Sequence, residues 1–85
     1  MTDKEFSHSL IKLIGLMAEM NYSQEIIEIT LGLILPLTTP NKATAVMKFT
    51  EIAKMGLPER DYHYEISQVF KELMGYPPTL FEIEE

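Results

Sequence analysis

Residues 26–37 read IIEITLGLILPL and form the most apolar stretch of the chain. At 100° per residue, the apolar side chains of this stretch cover well over half of a helix surface and leave only a narrow polar strip. Such a helix must be buried on several sides. It is too short to cross a bilayer, which needs ~20 apolar residues, and it contains Glu28 and Pro36. The stretch therefore predicts the central helix of a small helical bundle.

Capping residues and Gly–Pro signals divide the rest of the chain into three further helices. Residues 2–5 (TDKE) match the capping box that begins a helix. Thr39-Pro40 matches the N-cap and first position of another helix. Residues 55–58 (MGLP) and 74–77 (MGYP) each combine a glycine that can end a helix with a proline that stops its continuation. We predict helices near residues 3–20, 24–36, 40–55 and 60–74.

The predicted fold is all-α, a compact four-helix bundle with a short extended C-terminal tail. Asn21 can adopt a left-handed conformation and Ser23 can cap the following helix, so a tight turn should join helices 1 and 2. The bundle would then consist of two antiparallel helical hairpins. We place the helical domain at residues 1–76 and an extended segment that is both acidic and apolar at residues 77–85.

Helix 1 has more apolar surface than one neighbouring helix can cover. Its seam follows an a/d pattern, and further apolar side chains widen the stripe on both sides. Hydrophobic residues make up 46% of the chain, yet a domain of this size buries only ~60–65% of the surface that its unfolded chain exposes. We therefore expect a homodimer. The predicted interface comprises Phe6, Leu10, Ile11, Leu16, Leu80, Phe81 and Ile83.

The chain is acidic, and its charge is unevenly distributed. Thirteen acidic residues against seven basic ones give a net charge of −6, which argues against binding of a phosphate backbone as the main activity. Residues 38–57 contain three lysines and one glutamate, whereas residues 58–85 contain seven acids and two bases. A heterologous protein partner that is basic or neutral would be attracted to helix 4 and the tail.

The N-terminal residues lack the apolar core of a signal peptide, so we expect a cytoplasmic protein without membrane association.

The sequence carries no signature of catalysis. It contains no cysteine, which excludes thiolate chemistry and metal sites built on sulfur. His8 and His63 do not have the spacing of metal ligands, and Asp61, two residues before His63, fits a helix cap better than a ligand. The four glycines lie too far apart for a phosphate-binding loop. We therefore predict a non-enzyme without a cofactor or a metal site.

The methionines admit two interpretations. Methionine lines grooves that accept several partners, and it also fills irregular gaps in hydrophobic cores. Their helical spacing favours core packing for the five methionines concerned. These are Met17, Met20, Met47, Met55 and Met74.

Three classes of function remain open. We favour a non-enzymatic protein–protein interaction module, a small adaptor, regulator or inhibitor that forms a homodimer. The alternative is a small nucleic-acid-linked regulator that contacts phosphate through Lys42, Lys48 and Lys54, although the net charge disfavours it. The third class is an enzyme or small-ligand binder with a pocket between helices.

Overall fold

A computed structural model describes residues 2–75, which form four α-helices and no strand. The helices are α1 (Asp3–Glu19), α2 (Gln24–Ile34), α3 (Thr39–Lys54) and α4 (Glu59–Met74). The predicted all-α four-helix fold is confirmed, and each helix begins and ends within two residues of its predicted bounds. The predicted C-terminal tail, residues 77–85, lies outside the described residues.

Local capping explains most helix ends. The capping box of α1 is present, since the Glu5 N–H donates to Thr2 Oγ1 at 3.1 Å and the Thr2 N–H donates to Glu5 Oε1 at 3.0 Å. Asn21 has a φ of +66° and thereby ends the turn after α1. The prediction that Thr39 caps α3 is wrong: Thr38 is the N-cap, without a side-chain capping bond.

The central helix is α3 rather than α2. α3 packs against α1 on one side and α4 on the other, whereas α2 makes smaller contacts with α3 and α4. Ala45 and Ala53 on α3 are fully buried, and such small side chains let two neighbouring helices approach closely. α2 is only 11 residues long, because Pro36 cannot donate the backbone hydrogen bond that a further turn requires. The prediction that α2 lies at the centre is therefore wrong.

α1 packs mainly along α3, so α1 and α2 do not form a packed hairpin as predicted. Lys42 Nζ lies 5.5 Å from the centroid of the Phe6 ring, which brings the starts of α1 and α3 together. Met20, just after α1, lies beside Gly56, just after α3. α1 and α3 consequently run parallel. α2, which lies between them in sequence, returns the chain from the end of α1 to the start of α3.

α3 and α4 form the predicted antiparallel hairpin. Asn41 Nδ2 donates to the Leu73 carbonyl at 3.4 Å, which joins the start of α3 to the end of α4. The turn between them contains Gly56 at a φ of +67°, a conformation that glycine adopts without strain.

The core is organised around Tyr62 on α4, whose side chain is fully buried. Its hydroxyl lies 2.8 Å from Thr30 Oγ1 on α2 and 3.5 Å from Met17 Sδ on α1. Its ring lies 4.9 Å, centroid to centroid, from the ring of Tyr22. Tyr22 in turn donates its hydroxyl proton to the Ala53 carbonyl of α3 at 3.0 Å. One tyrosine and its immediate neighbours thus connect all four helices.

We expect alkaline pH to destabilise the fold through Tyr62. Burial raises the pKa of Tyr62 to about 12, a rise that the hydrogen bond with Thr30 partly offsets and the neighbouring Tyr22 reinforces. In the unfolded chain the pKa returns to about 10. Between these two values the unfolded state ionises first, so up to about 2–3 kcal/mol of stability is lost as pH rises from about 10 to about 12.

Urea unfolding followed by circular dichroism at pH 8 to 11.5 measures this loss. The Tyr62→Phe variant lacks the titrating hydroxyl and should show a smaller slope of stability against pH. An equal slope in both proteins would contradict the assignment to Tyr62.

Candidate functional site

An open groove of about 540 Å³ runs along the two parallel helices α1 and α3. We call it the α1–α3 groove. Because side chains four residues apart lie one above the other on a helix, each wall consists of successive turns of its helix. The lining residues are Ser9, Lys12, Leu16, Val46, Met47, Lys48, Thr50, Glu51 and Lys54.

The deepest part of the groove is apolar. Val46 is buried and Leu16 half-buried at the place where the two helices meet. Thr50 adds a short side chain whose hydroxyl donates to the Val46 carbonyl at 2.7 Å. That hydroxyl proton is therefore satisfied within the helix and does not demand a polar group from a ligand.

Methionine extends this apolar surface outward. The Met47 side chain is 63% exposed at the edge of the groove. The prediction that the methionines fill the core is confirmed for Met17, which is fully buried. It is wrong for Met47 and Met55, which are both mostly exposed. Met47 faces away from buried Phe49 on α3, and Met55 caps the end of that helix.

Three lysines give the groove a positive edge on an otherwise acidic protein. Among residues 2–75, Lys12 and Lys48 form no ion pair, and Lys54 Nζ lies 3.7 Å from Glu51 Oε2. Both partners of that pair are mostly exposed, and exposed pairs of this kind hold their charges only weakly. All three ammonium groups can therefore interact with acidic groups of a ligand.

The structure separates the three lysines that the sequence proposed as phosphate contacts. Lys48 and Lys54 lie at the α1–α3 groove, whereas Lys42 stacks over the Phe6 ring near the start of α1. The third lysine at the groove is Lys12 rather than Lys42. Sequence reasoning missed Lys12 because its place follows from the pairing of α1 with α3, which the apolar pattern of α1 does not specify.

The predicted interface residues fall into different environments. Phe6 and Leu10 are half-buried and pack against the core, and Leu16 lines the α1–α3 groove. Ile11 is 70% exposed and lies about 140° around α1 from Leu16. The remaining predicted residues, Leu80, Phe81 and Ile83, lie outside the described residues.

A second polar cluster joins the starts of α2 and α4. Both the backbone N–H and the hydroxyl of Ser23 donate to the Glu59 carboxylate, at 2.6 and 2.9 Å. Ser23 Oγ also accepts from the Ile26 N–H at 3.2 Å, as an N-cap does. The carboxylate therefore lies at the positive ends of two helix dipoles, where negative charge is stabilised.

His63 lies beside this cluster, in a cavity of about 200 Å³ that Glu25, Glu59 and Arg60 also line. Burial lowers the pKa of His63, and the charge of Glu25 partly opposes that shift. The cluster has a structural role, because the Glu59 carboxylate accepts two hydrogen bonds from Ser23 at the start of α2.

Among residues 2–75, no three His, Asp or Glu side chains come together in a way that could hold a metal ion. None of the described helices is both long and apolar enough to span a membrane.

The chain matches no protein-family model, and no curated protein or solved structure is significantly similar to it. We therefore infer function from the chemistry of the α1–α3 groove and of the exposed side chains around it.

We expect Glu59→Gln to lower the free energy of unfolding by about 1–2 kcal/mol, because it weakens two hydrogen bonds to a charged acceptor and removes a charge at two helix starts. Ser23→Ala should cost about 1 kcal/mol. Urea unfolding of each variant measures the loss.

Glu65→Gln is the matched control, since Glu65 is an exposed acid on the same helix, and it should change stability by less than about 0.5 kcal/mol. Equal effects of Glu59→Gln and Glu65→Gln would show that the cluster contributes nothing specific.

Proposed function

We propose that this chain is a non-enzymatic protein–protein interaction module of the cytoplasm, a small adaptor, regulator or inhibitor, and that the α1–α3 groove is its docking surface. The observation that carries the proposal is the combination of an apolar floor, an exposed Met47 and three available lysines in one groove. Binding sites for protein segments typically combine a desolvated apolar centre with a polar rim in this way.

Each part of the groove has a distinct role in the proposed docking. Burial of a partner's apolar side chains against Val46 and Leu16 removes apolar surface from water and supplies most of the affinity. The unbranched Met47 can adjust to different side-chain shapes. The lysines would attract acidic groups beside those apolar anchors, which raises the association rate and orients the partner.

This proposal differs from the sequence-based expectation that a basic or neutral partner binds acidic α4 and the tail. The exposed side of α4 carries charged residues such as Glu65 and Glu72. Among the described residues it offers one large exposed apolar side chain, Tyr64, at 62%. The α1–α3 groove is favoured because it provides both apolar anchors and charge.

Homodimerisation is the second part of the proposal, and the outer face of α1 supports it. Ile11 is mostly exposed there, and Gly15 and Ala18, four and seven residues further on, lie on the same side of the helix. A Cβ added at Gly15 would meet no atom within 4 Å. The small residues would let a second copy of α1 approach closely and cover Ile11 in a twofold-symmetric contact.

Ile11→Asp should convert the dimer into a monomer, because it places a charge in the proposed apolar contact. Light scattering or sedimentation measures the mass. Tyr64→Asp, a similar change at a similarly exposed position on α4, is the control and should leave the dimer intact. An unchanged mass for Ile11→Asp would contradict the proposed dimer face.

Affinity capture with the full chain as bait tests the groove. Wild type should retain a stoichiometric protein partner, less of it at high salt, and Met47→Glu should retain at least tenfold less. Tyr64→Glu should behave as wild type. Equal capture of the same partner by wild type and Met47→Glu would overturn the proposal that the groove is the docking surface.

The alternative of phosphate contact through Lys42, Lys48 and Lys54 has weaker support. Lys42 is engaged with Phe6 at a different place, and a net charge of −6 repels a nucleic-acid backbone. The lysines of the groove are better suited to a few carboxylates than to a continuous line of phosphates.

A further inference from the structure

Residues 80–85 combine the apolar and acidic side chains that we expect of a ligand of the α1–α3 groove. Residues 80–85 read LFEIEE, which gives three large apolar side chains and three glutamates. The groove presents an apolar floor with three lysines, Lys12, Lys48 and Lys54. The segment and the groove are thus complementary both in apolar surface and in charge.

The chain is also long enough to bring this segment to the groove. The bond from Asn41 to the Leu73 carbonyl places the end of α4 at the start of α3. At 1.5 Å per residue, Lys54 at the far end of the groove lies about 20 Å further along α3. The ten residues after Gly75 can span up to about 33 Å. That length also covers the path around α3, whose diameter is about 10 Å.

We infer that residues 77–85 dock in the α1–α3 groove of their own chain. Leu80, Phe81 and Ile83 would cover the apolar floor, and the glutamates would lie beside the lysines. Pro77 and Pro78, at the start of this segment, restrict the backbone between α4 and Leu80, which lowers the entropy lost on docking. A segment tethered to its site has a high effective concentration, so even weak contacts keep it bound.

This docking regulates the groove, an inference that rests on the proposed function in treating the groove as the site for a partner. The segment would occupy the surface until a protein with stronger acidic and apolar anchors displaced it. Removal of the segment's charge should then increase partner binding. Loss of the groove should abolish both the docking of the segment and the binding of a partner.

A nitroxide spin label on the full chain tests the inference directly. The chain contains no cysteine, so a single cysteine added after Glu85 carries the label. In the ¹⁵N-labelled protein, the label should broaden the amide resonances of Leu16 and Thr50 at the groove. It should leave that of Tyr64 on α4 sharp. Absence of broadening at Leu16 and Thr50 would overturn the inference.

Charge variants and mixed samples complete the test. Lys12→Glu should reduce the broadening at Thr50 at least twofold. Lys4→Glu, an exposed lysine outside the groove, should leave it unchanged. Equal effects of these two variants would contradict docking at the lysines.

Mixing unlabelled spin-carrying chains with ¹⁵N-labelled chains that lack the spin label detects only contacts between copies. Broadening of Thr50 in this mixture as strong as within one chain would overturn docking in the same chain. Failure of the inference leaves the capture experiment with Met47→Glu unaffected, so the two proposals fail separately.

Discussion

The arrangement of the four helices depends on the buried hydrogen bond between the hydroxyls of Tyr62 and Thr30. The Thr30 hydroxyl lies 2.9 Å from the Ile26 carbonyl, to which it can donate, and 2.8 Å from the Tyr62 hydroxyl, in a contact where either oxygen can be the donor. A buried hydroxyl without such a partner would cost about 1–3 kcal/mol. The partner must therefore be in place for α4 to pack, and this requirement fixes where α2 crosses α4.

The α1–α3 groove follows from the same constraint. Met17 contacts the Tyr62 hydroxyl, and this contact brings one side of α1 to the core. Tyr62 and Tyr22 share the interior with other buried side chains, such as Phe49 and Leu33, and α1 packs beside α3 rather than over α2. Leu16, one residue before Met17, then lies at the edge of the core. Parallel helices with short side chains at Val46 and Thr50 leave a shallow groove between them, which the lysines border.

The sequence predicted what local chemistry determines. Capping at Thr2 and the left-handed positions at Asn21 and Gly75 depend on a few neighbouring residues, so the helices were predicted to within two residues. Pairing of helices was predicted less well. The apolar stretch around α2 indicated a central helix. However, α2 has only 11 residues, whereas α3 has 16, and the buried alanines of α3 let two neighbouring helices pack closely against it.

The candidate site shows the same division. Leu16, Lys48 and Lys54 were identified separately, as an apolar edge and as a basic segment, and only the parallel packing of α1 and α3 brings them together with Lys12. The contact between Thr30 and Tyr62 joins residues 32 positions apart. Neither hydrophobic periodicity nor spacing indicates which tyrosine a buried threonine will meet.

The central claim is that the Tyr62–Thr30 bond holds this frame, and a double-mutant cycle in urea unfolding tests it most directly. Tyr62→Phe and Thr30→Val should each lower the free energy of unfolding by about 1–2 kcal/mol. The double variant should lose less than their sum by about 1 kcal/mol, because the second change removes a partner that the first has already left unpaired. Losses that add within about 0.3 kcal/mol would show that the two hydroxyls do not interact, and would contradict the account.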